Sequence, residues 1–359
     1  MQLKVYLFED LALKSALQPL TQHRTVAELW AGTSTLESKW PTRVSNANQA
    51  DIQVLSAILP LPSTFQLLDQ LPADSSYVYE GRVLAQRGQG TNHLEQHLPF
   101  LQHPEDLLAY QAEFLRAEIK GNNPDPGNNT LIAPENIYIH PSAQVQGSIL
   151  DASKGPIYIG EEVNLQIGTL IQGPAALLTG ATTNIGAKIR PNTTIGPGCK
   201  VGGEINHCIF FPFSNKAHEG YLGNSIIGSF SNLGALTNGS NLRNDIQTVS
   251  LYDYALKEPR NTGLKSLGQI IGDFVTTGVG TNLNTGTVIG SHCNLSSIGF
   301  PPRYLPSFSY GEYPSLKLFD FEKAFASACA WMQLKNQEIP ENLRQSMEEI
   351  WKADTSFRN

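Results

Sequence analysis

Aliphatic residues recur every six positions through the second half of this chain, and few folds accommodate that period. Ile139 and Val145 begin it; Ile159, Leu165, Ile171 and Leu177 continue it, followed by Ile189, Ile195 and Val201, then Ile227 and Leu233. Ile271, Leu283, Ile289 and Leu295 close it, with Thr277 in the remaining slot. Glycine commonly follows the aliphatic residue, as at Gly160, Gly196, Gly202, Gly228, Gly234, Gly272 and Gly290. A helix repeats at 3.6 residues, and each glycine inside it costs about 1 kcal/mol relative to alanine. A sandwich of short strands alternates every two residues with uneven spacing between strands. A coil of short strands meets both demands: each aliphatic residue points inward and stacks on its counterpart one coil away, while Gly or Asn serves the corners. The spacing predicts a hexapeptide-repeat parallel β-solenoid over residues 131–310, with its aliphatic residues in one continuous inward column. Interruptions fall at about 207–220 and 238–268, where loops leaving a rigid coil are natural ligand contacts.

The flanking segments follow other rules. Leu3–Phe8 is an apolar run of strand length, and Val26, Leu29, Trp30, Thr33 and Leu36 sit at helical spacing between Thr25 and Trp40. Strand-like ADIQVLSAILPL and VYEGRVLAQ and a helical PEDLLAYQAEFLRAEIK continue an α/β pattern to Lys120. GNNPDPGNNT, residues 121–130, is turn chemistry throughout and reads as a linker. At the other end, in the segment 311–359, Phe321, Phe325, Ala328 and Met332 share one helical face and Leu343, Met347, Ile350 and Trp351 another, which predicts helices packed on the solenoid.

Charge and cysteine content narrow the function classes. A formal net charge of −7 offers no basic face for nucleic acid. Glu9 and Asp10 follow a short apolar run, unlike a signal peptide, and no run of apolar residues is long enough to span a bilayer. Cys199, Cys208, Cys293 and Cys329 have no CxxC spacing, so they read as small buried residues instead of a disulfide frame or zinc site. The expectation is a cytoplasmic protein with no membrane or nucleic-acid partner and no metal in its principal site.

The densest reactive segment is residues 214–245. It carries one imidazole, His218, with Tyr221 three residues on and Asn232 beyond a further hexapeptide. Histidine is the usual general base at neutral pH, and Tyr and Asn supply hydrogen bonds that orient a base or a substrate. On spacing alone, a lone histidine in a Gly-rich stretch is more often a solvated loop residue.

The run Lys216-Ala217-His218-Glu219-Gly220-Tyr221-Leu222-Gly223 followed by Asn232-Leu233-Gly234-Ala235 resembles the acetyltransferase half of the bacterial bifunctional N-acetylglucosamine-1-phosphate uridyltransferase/glucosamine-1-phosphate N-acetyltransferase family. The resemblance implies His218 as general base, Tyr221 and Asn232 on the amino-sugar phosphate, and Ala235 where the acyl-CoA thioester approaches. Ala187-Lys188-Ile189-Arg190-Pro191 resembles the family's segment whose arginine holds the sugar phosphate, which implies that role for Arg190. Two departures stand out: Asn206-His207-Cys208-Ile209-Phe210-Phe211 replaces a lysine-rich substrate segment, and Ser240-Asn241-Leu242-Arg243-Asn244 replaces an Asn-Tyr-Asp-Gly element. Arg243 in that replacement is the candidate contact to the cofactor, acetyl-CoA. GFPPRYLPSFSYG, residues 299–311, and the opening FED…LQPLTQHRTVAELWAG are similar to a narrower group of shorter bacterial proteins labelled sugar nucleotidyltransferases. That resemblance implies the left-handed sense of the β-helix and a homotrimer.

The first 120 residues resemble a reduced nucleotidyltransferase domain. The tail of its phosphate motif survives as Leu17-Gln18-Pro19-Leu20-Thr21, but Ala12, Lys14 and Ala16 stand where the motif has two glycines and an arginine. Lysine side chains there obstruct the backbone approach that a triphosphate needs. The reading is acyl transfer from acetyl-CoA to an amino-sugar phosphate or nucleotide sugar. Its alternatives are nucleotidyl transfer through an atypical loop, in which Lys14, Arg24 and Mg²⁺ would act, and a non-catalytic sugar-nucleotide-binding trimeric scaffold.

Overall fold

The computed structural model describes residues 3–296 and 299–353. The ends of the expected terminal segments, residues 1–2 and 354–359, lie outside the described residues. From Thr130 onward the chain winds as a parallel solenoid with three faces. Three hexapeptides make one coil, so the six-residue period feeds three inward columns around one core instead of the single column expected. Ile159, Leu177, Ile195, Phe210, Ile227, Ile271, Ile289 and Leu305 stack on the nine-stranded face. Leu150, Ile171, Ile189, Ile205 and Leu222 stack on the eight-stranded face. Leu165, Thr183, Val201 and Lys216 stack on the third. The aliphatic members of these columns are at most 1% exposed, and each contributes about 1.5–3 kcal/mol by leaving water.

Two features of the coil differ from expectation. The segment 207–220 does not leave the solenoid: Ile209–Phe210 and Asn215–Lys216 remain in the ladder, paired with Thr194–Ile195 and Lys200–Val201. The period fails there because the coils are shorter, while the strand register is kept. One corner also uses aromatic residues where glycine or asparagine is expected. Phe213, Phe230, Phe274, His292 and Phe308 all adopt left-handed backbone, φ +57 to +66°, and their rings stack at centroid distances of 4.8–5.1 Å. Stacking worth about 0.5–1.5 kcal/mol per pair offsets the steric cost of a left-handed non-glycine residue.

The N-terminal segment contributes helices α1 (Leu11–Ala16), α2 (Pro62–Gln70) and α3 (Asp106–Glu118) around a five-stranded mixed sheet. Its core merges with the outward face of the nine-stranded sheet at Ile209, Ile226, Ile270 and Val288. The helix expected between Thr25 and Trp40 does not form. Gly32, at φ +58°, turns a hairpin between Trp30–Ala31 and Ser34–Thr35, with single 3-10 turns at Val26–Glu28 and Glu37–Lys39 on either side. Helical spacing and a hairpin bury the same Leu29 and Leu36 here; the left-handed glycine decides between them. Gln111 of α3 ties the junction: it accepts from the Gly32 amide (2.9 Å) and donates to the Thr194 hydroxyl (2.5 Å) of the solenoid.

The second interruption does leave the coil, as an antiparallel hairpin, Ser250–Asp253 with Glu258–Asn261. Its Arg260 pairs with Asp253 within the hairpin and with Glu105 ahead of α3. Helices α4 (Phe321–Leu334) and α5 (Leu343–Ala353) form as expected and pack Met332, Met347 and Ile350 with Phe308, over the aromatic ladder. All three parts meet at one buried point. His23 bonds Ser346 of α5 through Nδ1 (2.8 Å) and His292 of the ladder through Nε2 (2.7 Å), and the adjacent Arg24 pairs with Asp273 at 2.7 Å. Burial pulls His23 down to about 4 and His292 well below the usual imidazole range.

Candidate active site

His218 lies on an exposed corner between two strands that the coil holds rigidly. Asn215–Lys216 ends the third face, and Tyr221–Gly223 begins the next strand of the eight-stranded face. Two side chains fasten the corner from within: Asn184 donates to the Ala217 carbonyl (2.5 Å) and Lys216 Nζ to the His218 carbonyl (2.8 Å). Below it, the connection from Val201 to Glu204 is only Gly202-Gly203. A Cβ on Gly202 would come within 2.2 Å of the Ala217 oxygen, and one on Gly203 within 2.5 Å of the Gly220 oxygen. Glycine is therefore required for the His218 corner to seat on the preceding coil. Above it, the Leu236 amide donates to the Glu219 carbonyl at 3.0 Å, which brings Ala235 and Leu236 over the same corner.

Tyr221 projects from the eight-stranded face, its own amide held by Asn238 Oδ1 at 2.9 Å. Its hydroxyl lies over Gly223: a Cβ there would be 2.3 Å from Tyr221 Oη and 2.8 Å from Asn241 Nδ2. Tyr221, Asn238, Ser240, Asn241, Asn282 and Phe300 line a groove of about 300 Å³. Its hydrogen-bonding groups are amides and hydroxyls, which suit a polyhydroxylated ligand.

His218, Tyr221 and Ala235 thus gather around one corner, and the other residues singled out from the sequence lie elsewhere. Asn232 sits on the third face, bridged between Asn215 and Thr276; the neighbouring Asn215 accepts from Lys335 Nζ at the end of α4 (2.8 Å). Arg190 lines a separate groove of about 330 Å³ with Lys188, Asp151, Gln172 and Leu170, and pairs with Glu204 at 3.4 Å. Glu204 stands directly between the rows of Arg190 and Tyr221, since it is the register partner of both Lys188 and Tyr221. Arg243 is on the segment leading to the inserted hairpin and bonds Asp245 through two nitrogens, which holds the Asp245 carboxyl far below the usual range.

Sequence reasoning overlooked the interior. Lys216 occupies an inward slot that is aliphatic or threonine in the coils below it, and is 1% exposed. Burial pulls its ammonium down to about 8. The signal was present, because a lysine in a slot that stacks on Val201 departs from the repeat. Cys208 is buried near it and Cys199 is buried against Ser214, and burial pushes their thiols up to about 12 and about 11, so neither is a thiolate nucleophile.

The N-terminal segment shows no counterpart of a phosphate cradle at the surviving motif. Where a glycine-rich loop would wrap a triphosphate, Asp10 caps α1 by accepting from the Ala12 and Leu13 amides. Lys14 pairs with Glu9 at 3.2 Å. Arg24 is occupied by Asp273, Ser229 and the Leu20 carbonyl. Among the described residues, no group of three or more His, Cys, Asp or Glu is arranged to hold a metal ion, and no helix is long and apolar enough to cross a membrane.

A three-faced solenoid of hexapeptide coils, with an imidazole on a coil corner beside a tyrosine-lined groove, defines a hexapeptide-repeat protein. No family model matches the chain. It is 32% identical over 167 residues to the uncharacterized acetyltransferase YaiX of Escherichia coli, a match covering 45% of this chain and 70% of YaiX. The chain belongs to that acetyltransferase family. It is also 37% identical over 108 residues to the bifunctional protein GlmU of Methanococcus vannielii, covering 30% of this chain and 25% of GlmU. The bifunctional sugar-1-phosphate nucleotidylyltransferase/acetyltransferase of Sulfurisphaera tokodaii is 30% identical over 145 residues, 40% of this chain and 35% of that protein. The chain therefore spans well under half the length of these bifunctional relatives. Similar solved structures include the UDP-N-acetylglucosamine acyltransferase from Campylobacter jejuni, at 13% identity, 58% of this chain, 94% of that one and a TM-score of 0.28. PerB from Caulobacter crescentus, solved with CoA and GDP-perosamine, has 18% identity over 53% of this chain and 58% of PerB, with a TM-score of 0.20.

Proposed function

We propose that this protein transfers an acyl group, acetyl in the first instance, from acyl-CoA to the amino group of a sugar phosphate or nucleotide sugar. The observation that carries the reading is the exposed His218 on a corner fastened by Asn184 and Lys216, next to the Tyr221 groove. Relatives named for acetyl transfer, one of them joined to sugar-1-phosphate nucleotidyl transfer, support it.

In this mechanism the sugar nitrogen attacks the thioester carbonyl while His218 takes the amine proton. The tetrahedral intermediate collapses with cleavage of the C–S bond, and the imidazolium returns the proton to the departing CoA thiolate. Tyr221 orients the sugar, Asn232 and Arg190 act on it from the adjoining face and groove, and a backbone amide near Ala235 meets the developing oxyanion. Arg243 serves the CoA phosphates by exchanging its Asp245 partner for them. The chain assembles as a homotrimer in the cytoplasm, with the donor site between neighbouring solenoids, so that one copy's corner is completed by the next. Thiol release from acetyl-CoA in the presence of amino-sugar phosphates and nucleotide sugars tests the reading. Pyrophosphate release from a nucleoside triphosphate without thiol release would replace it with nucleotidyl transfer, and neither product would leave a binding scaffold.

A further inference from the structure

Lys216 is a buried charge that the fold does not need. Its slot on the third face is filled by Leu165, Thr183 and Val201 in the coils below and by Thr277 and Leu295 in coils above. Its ammonium has two acceptors for three N–H groups, the His218 carbonyl at 2.8 Å and the Gly202 carbonyl at 3.4 Å. The one carboxylate acting on it, Glu219, belongs to the exposed corner itself. Desolvating an ammonium for two carbonyls is unfavourable, and replacing a buried charge by an apolar side chain of similar volume is often neutral or stabilising. Stability gives no reason for a lysine in this slot.

The geometry at the corner supplies one. Ala217 and His218 present successive carbonyls, and each is taken by a side chain from the coil: Ala217 by Asn184, His218 by Lys216. No strand ladder restrains residues 217–220; backbone amides reach only the far half of this corner, Leu236 bonding the Glu219 carbonyl (3.0 Å) and Glu204 the Gly220 carbonyl (3.1 Å). At Ala217 and His218, therefore, these two side-chain bonds and the contact with Gly202 hold the backbone that carries the imidazole. We propose that Lys216 is a positioning residue that sets the placement of His218, at a cost in stability. This inference rests on the acyltransferase reading.

The test is Lys216→Met, which keeps volume and removes the donor. Misplacing a catalytic group by about an ångström costs roughly 10²-fold. The expected result is a kcat lowered about 10- to 100-fold with KM for acyl-CoA within about twofold, and a Tm equal to or above wild type. Amide exchange at residues 217–221 should be faster. A Tm that falls in step with kcat would make Lys216 merely structural and overturn the proposal, as would wild-type kcat with unchanged exchange at the corner. The two readings fail separately. If wild type transfers no acyl group, the acyltransferase reading is lost, and if His218→Ala matches an active wild type, His218 leaves the mechanism, while exchange and Tm of Lys216→Met still decide whether the lysine fastens the corner.

Discussion

Lys216 and His218 stand two residues apart yet meet opposite environments, one sealed in the coil and the other exposed on its corner. His218, Tyr221 and Asn232 were legible in the sequence because reactive side chains among glycines and aliphatics stand out. Arg190 was legible by resemblance, but its pairing with Glu204 was not, since cross-coil neighbours lie a full coil apart in sequence. Lys216 went unread because a lysine is assumed to face water. Gly223 gives a prediction at this scale. Gly223→Ala would push its Cβ against Tyr221 Oη, and the phenol, at the free end of its side chain, would swing away. The acceptor KM should rise several-fold, with stability changed by less than about 1 kcal/mol. Steady-state kinetics with an unchanged acceptor KM would show that Tyr221 does not hold the acceptor.

The coil is the element whose physics is simplest. Each inward residue touches counterparts above and below, so a polar replacement disrupts two interfaces at once. Ile195, paired between Leu177 and Phe210 and fully buried, is a direct case: Ile195→Asn should cost about 3–5 kcal/mol, combining a lost aliphatic side chain with an unpaired amide. Denaturant unfolding measures it, and a loss below 1 kcal/mol would mean the column is not close-packed. The six-residue period made this architecture readable, because glycine density and spacing together exclude helix and sandwich. Shortened coils were misread as a loop, since losing three residues between Ile195 and Phe210 breaks the count but not the register. The aromatic corner ladder was also hidden, because nothing in a lone phenylalanine announces a left-handed φ.

At the scale of the molecule, the N-terminal segment, the solenoid and α5 meet at His23 and His292. Both imidazoles are held neutral by burial, Asp273 is already engaged by Arg24, and among the described residues no other carboxylate acts on the pair. Their folded values lie below the unfolded value of about 6.5, so the stability they confer is complete above that pH. It is lost as pH falls from 6.5 toward about 4 for His23, at roughly 1.4 kcal/mol per pH unit for each group. Tm against pH should drop across that window, and the double variant His23→Gln/His292→Phe, whose new phenylalanine continues the ladder, should flatten the drop. An unchanged acid limb would locate the loss elsewhere. Sedimentation should give a trimer at micromolar concentration, and a monomer would remove the shared donor site. The central claim is tested most directly by acyl transfer itself, measured as CoA release with a panel of amino-sugar phosphates for wild type and His218→Ala side by side. The exposed His218 predicts a variant within about 0.5 kcal/mol of wild-type stability whose transfer is slower by roughly 10²- to 10⁴-fold; equal rates above background in the two proteins would contradict it.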